Sequence, residues 1–118
     1  MNTEQTISDF CASQWGEKSL QGLVVKLAEE TGEVAGAVHK IPEQRATFED
    51  LDDELGDVLI VLSQFAAHRG TTIEKLRADR FAFIQKRAQE NAPACTCPPS
   101  PMGRLCQRHA PECPLSKR

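Results

Sequence analysis

Aromatic residues are scarce: they make up 5% of the chain, with no tyrosine and a single tryptophan. β-Branched residues nowhere alternate with polar ones over a useful length, which argues against a sandwich or barrel. Long apolar runs are missing as well. The longest, Val58 to Leu62, falls far short of the roughly 20 residues a membrane helix needs. The opening MNTEQTISDF has no basic region and no apolar segment after it, so a secretory leader is not expected and the cytoplasm is the expected location. There is no GxxxxGK(S/T) and no GxGxxG, which leaves P-loop and dinucleotide-binding folds without support. No glutamate has a histidine three residues later, which removes a di-iron bundle.

What remains is an ordinary soluble composition, 40% apolar and 26% charged over 118 residues, enough for one small all-α domain. The net charge of −3 is a sum over unlike parts. Residues 1–90 hold 16 acids and 10 bases, whereas 91–118 hold 1 acid and 4 bases. An acidic body binds nucleic acid poorly, because phosphate backbones are held by clustered Lys and Arg; any phosphate it binds needs a mediating cation. Six of seven prolines and four of five cysteines lie beyond Asn91. The expected division is therefore a helical domain over 1–92 and a Cys/Pro-rich tail over 93–118.

Ser19 can cap a helix running to about Lys40, with Leu20, Leu23, Val24, Leu27, Val34, Ala35 and Val38 as its apolar stripe. Ile41-Pro42 is expected to end it, because proline disfavours helical geometry in the residue before it. Thr47 and Asp50 offer a capping box for the next helix, to about Arg69. Its expected buried stripe is Leu51, Leu55, Val58, Leu59, Leu62 and Phe65, and Gly70 is its stop. Thr71 and Glu74 open a fourth helix, and a shorter one over about Thr6–Trp15 comes first. Leu59 to Leu62 put apolar groups on more than one face, so the bundle is expected to be completed in a homodimer or homotetramer.

Each long helix carries a short acidic motif, Glu30-Thr-Gly-Glu33 and Glu54-Leu-Gly-Asp57. Residues three apart share a helix face, so each helix presents two carboxylates together, and an antiparallel hairpin brings the pairs within reach. The acids edge the apolar stripes, where unrelieved repulsion is costly and a divalent cation relieves it. Oxygen ligands without His or Cys favour Mg²⁺ or Mn²⁺. A single ExxE reads more simply as a solvated helix face; two matched motifs on adjacent amphipathic helices favour a site.

LAEETGEVAGAV followed by DDELGDVLIVL resembles the MazG-like nucleoside triphosphate pyrophosphohydrolases of the all-α NTP pyrophosphatase superfamily, over roughly residues 8–88. The resemblance implies a four-helix MazG-like bundle and Mg²⁺-dependent cleavage of a (d)NTP between the α and β phosphates, giving (d)NMP and pyrophosphate. It maps Glu30, Glu33, Glu54 and Asp57 onto the family's metal ligands and, with the physical reading, leaves Glu29 beside Glu33 to help the attacking water. Trp15 either stacks on the base or caps the bundle. Arg80, Lys86 and Arg87 on the last helix either meet substrate phosphates or only solubilise. Val61 stands where many relatives have a tyrosine, and Arg80 and Ile84 stand in place of a Lys-x3-Asn.

In the tail, Cys95, Cys97, Cys106, His109 and Cys113 supply soft ligands, four of which would saturate a tetrahedral zinc; the other reading is an unstructured thiol-bearing segment. The competing function is a non-catalytic oligomerisation module whose basic tail binds a partner or nucleic acid.

Overall fold

The computed structural model describes residues 2–91, which form four helices and no strand: α1 (Thr3–Trp15), α2 (Leu20–Lys40), α3 (Phe48–His68) and α4 (Ile73–Asn91). The all-α architecture is the one expected. The tail cysteines and His109 lie outside the described residues, and the boundary expected at residue 92 falls at their edge. The chain divides into two units, Met1–Ala78 and Asp79–Arg118, with the division inside α4.

In the first unit α3 packs against both α2 and α1. All four helices start on side-chain caps. Asn2 accepts from the Gln5 amide at 2.8 Å, which starts α1 three residues ahead of Thr6. Ser19 accepts from Gly22 at 3.1 Å. Thr47 and Asp50 complete the capping box at 3.1 and 2.8 Å. Thr72, rather than Thr71, accepts from the Lys75 amide at the start of α4. The Ile73 amide, another free donor there, donates to Glu4 of α1 at 3.1 Å.

α2 ends at Lys40 as expected, but not by the expected device: Ile41 keeps right-handed helical geometry, φ −57° and ψ −50°, although Pro42 follows. A hydrogen-bonded turn closes the end instead. The Arg45 amide donates to the Lys40 carbonyl and the Gln44 amide to that of Ile41, with Gln44 at φ 59°. This is a Schellman motif with a non-glycine residue in the left-handed position. The end of α3 repeats it with Thr71 on Ala66, Gly70 on Ala67 and Gly70 at φ 67°.

The buried faces also differ from those expected. On α2 the line runs Leu23, Leu27, Glu30, Val34, Ala37, at steps of four and three, while Leu20, Val24 and Val38 are exposed. On α3 the buried residues are Val61, Ser63 and Ala66, and Leu55 and Leu59 are exposed. A helix packed on two sides has no single stripe. Glu30 thus occupies a core position, which is what places the acidic motif at the helix interface. In the second unit, α4 continues with Phe81, Phe83 and Ile84 exposed and the Arg80 guanidinium 4.5 Å from the Phe83 ring centre.

Candidate metal centre

Glu30 and Glu33 from α2 and Glu54 and Asp57 from α3 converge: each offers a carboxylate oxygen, and these four atoms lie within 4.8 Å of one another. Glu30 is buried, Glu54 half-buried, and Glu33 and Asp57 exposed. Hydrogen bonding to Glu33, then burial, then the negative charges of Glu33, Asp57 and Glu30 push the Glu54 carboxyl above its ordinary value. Lys26, one turn before Glu30, donates to Glu30 Oε1 at 3.0 Å and stands 3.7 Å from Glu29. That hydrogen bond, followed by the charge of Glu30, raises the Lys26 ammonium above its ordinary range.

One lysine does not satisfy the cluster. Oε2 of Glu30 and Oε2 of Glu54 are buried and accept no hydrogen bond, a costly condition for carboxylate oxygens. Hard cations hold oxygens at roughly 2.0–2.6 Å, so opposite ligands stand about 4–5 Å apart, the spread seen here. An all-oxygen donor set with two orphaned atoms therefore fits a hard divalent cation.

Two clefts adjoin the cluster. The first, of about 620 Å³, is lined by Trp15, Lys18, Val25, Lys26, Ile60 and Gln64 together with Glu29, Glu30 and Asp57. Trp15 is 69% exposed there and meets Phe10 edge-on at 6.2 Å. The second, of about 550 Å³, has Glu29, Glu33 and Glu54 on its wall with Lys40 and Arg45.

A family model of the MazG nucleotide pyrophosphohydrolase domain matches residues 18–89. The chain belongs to the MazG family. The match spans both acidic motifs and begins after Trp15, so α1 lies outside the MazG segment. Comparison with curated proteins and with solved structures gives no match.

The structure thus brings Glu29, Glu30, Glu33, Glu54, Asp57 and Trp15 to one region. Arg80, Lys86 and Arg87 belong to the second unit, where Lys86 stands 4.0 Å from Glu90. Sequence reasoning missed Lys18, Lys26 and Gln64 in the first cleft and Lys40 and Arg45 in the second. Lys26 and Lys40 had a signal, their helical spacing to Glu30 and Glu33 on the same helix; the others come to the clefts only through the packing of α1–α3 and the turn at Gln44.

Proposed function

We propose that this MazG chain is a cytoplasmic, magnesium-dependent (manganese substituting) pyrophosphohydrolase that converts a (d)NTP to (d)NMP and pyrophosphate, working as a homodimer or homotetramer. The observation that carries the reading is the pair of buried, unsatisfied oxygens of Glu30 and Glu54 inside a four-carboxylate cluster at the edge of an aromatic-walled cleft. Glu30, Glu33, Glu54 and Asp57 would hold the ion. When bound, it supplies positive charge to the phosphate oxygens.

The chain's own groups do the rest. Trp15, with Val25 and Ile60 beside it in the first cleft, offers a face on which a base stacks. Lys18 and Lys26 border the same cleft and meet phosphate oxygens there. Glu29, exposed and shared by both clefts, orients a water and takes its proton as the oxygen attacks the α phosphorus. The bond from that phosphorus to the α,β-bridging oxygen breaks, and the electron pair leaves with pyrophosphate.

The test is a pyrophosphate-release screen over canonical and modified nucleotides, with and without magnesium. Turnover that requires the ion is expected. Glu33→Gln and Asp57→Asn should each lower it by at least about 100-fold, since even residues behind metal ligands are worth 10–100-fold. Unchanged rates in both variants would remove the assignment.

A further inference from the structure

The two clefts divide the carboxylate cluster between them. Glu30 and Asp57 wall the first, Glu33 and Glu54 the second, and Glu29 lies in both. Their remaining walls are chemically unlike. The first offers large apolar surfaces, Trp15, Val25 and Ile60. The apolar members of the second are no larger than alanine, namely Gly32, Gly36, Ala37 and Ala46, and its cations are Lys40 and Arg45.

Both cations are placed by α2 and its end. Glu33, Gly36 and Lys40 follow one another at steps of three and four, so they share a face. Seven residues at 1.5 Å each put Lys40 about 10 Å along the axis from Glu33. Helical side chains lean toward the N-terminus, which directs the Lys40 ammonium back over Gly36. Arg45 is tied to the same place by its amide, which donates to the Lys40 carbonyl at 3.1 Å. Its guanidinium is steadied by Glu43, with Nε 2.6 Å from the carboxylate. Asp50, the further acid of this cleft, has one oxygen engaged by the Thr47 amide.

The glycines point the same way. A Cβ added at Gly32 or Gly36 would meet nothing within 4 Å. Internal packing therefore does not require glycine at either position, although in a helix interior it costs about 1 kcal/mol relative to alanine. A bare backbone facing open space, between carboxylates and two cations, suits the close approach of an anion.

From this juxtaposition of Lys40 and Arg45 with Glu33 and Glu54 across a glycine-floored cleft, we propose that the second cleft is the subsite for the pyrophosphate leaving group, the nucleoside lying in the first. The proposal rests on the function given above and fixes the direction in which the nucleotide lies: α phosphorus at the carboxylates, β and γ phosphates toward the C-terminal end of α2.

Calorimetric titration of the full chain, with magnesium present, measures inorganic pyrophosphate and a nucleoside monophosphate separately. The double variant Lys40→Met/Arg45→Met should bind pyrophosphate at least about tenfold more weakly, each charge-assisted contact being worth 1.5–3 kcal/mol, and bind the monophosphate as the wild type does. Gly36→Leu, whose Cβ would meet nothing within 4 Å and whose side chain takes up room in the cleft, should also lose pyrophosphate, and Arg45→Lys should retain most of it. Equal pyrophosphate affinity in wild type and double variant overturns the proposal; a lowered melting temperature alone would mark both residues as helix-end charges. A wild type that binds no pyrophosphate at millimolar concentration overturns it too. A wild type that binds pyrophosphate through Lys40 and Arg45 yet cleaves no nucleotide upholds the anion subsite and defeats the functional reading. Cleavage with unaltered pyrophosphate binding in the variants does the reverse.

Discussion

Charge is most crowded at Glu54. Because the folded state raises its carboxyl above the ordinary 4.5, the native protein keeps a proton that the unfolded chain releases between those two values. The metal-free protein therefore loses stability as pH rises from about 4.5 through the elevated value. A divalent cation works in the opposite sense, binding the charged form. Magnesium should raise the melting temperature more at pH 8 than at pH 5, against an EDTA control. A shift of equal size at both would mean that the ion binds elsewhere. Lys26 is the protein's own partial substitute for that ion. Lys26→Met removes the partner of a buried carboxylate oxygen and should cost the metal-free protein about 1–3 kcal/mol. It also frees Glu30 Oε1 from a competing cation. Calorimetry should show tighter magnesium binding in the variant, and weaker binding would make Lys26 a positioner of Glu30 instead.

The helices deliver these residues, and their ends were unequally legible. Ser19 and the Thr47/Asp50 box could be read directly, since a cap needs only a short polar side chain at a fixed offset from its helix. Gly70 was legible for the same local reason. Gln44 was not, because Pro42 offers a nearer stop and glutamine carries no left-handed preference; the turn is fixed by two backbone hydrogen bonds, to Lys40 and Ile41. The motif acids were legible because i, i+3 spacing is intrinsic to a helix, but the burial of Glu30 depends on which face α3 covers. Leu55 and Leu59 were misjudged because α3 is packed from two sides. If the left-handed geometry is strained at Gln44 and easy at Gly70, opposite substitutions should have opposite signs. Gln44→Gly should gain up to about 1 kcal/mol and Gly70→Ala should lose about as much, read from urea unfolding midpoints. A loss in Gln44→Gly would show that the glutamine side chain itself holds the turn.

For the whole molecule, the described residues bury little. Leu23 is the one large side chain fully enclosed among them, while Phe48, Leu55 and Leu59 are 69%, 44% and 51% exposed. These three share a face of α3, at steps of seven and four. No helix among the described residues is long and apolar enough to cross a membrane. The homo-oligomer proposed above would cover these three, since the same stripe on both subunits makes a self-complementary contact. Light scattering should then give a mass that is a multiple of 13.0 kDa, with a melting temperature that rises with protein concentration. Leu59→Glu places a charge in the stripe while leaving every carboxylate of the cluster in place, and should shift the mass toward one chain. If Leu59→Glu keeps the wild-type mass, the contact runs through another face of the helices. If the wild type is itself monomeric at micromolar concentration and still releases pyrophosphate, the carboxylate cluster of a single chain suffices for the chemistry.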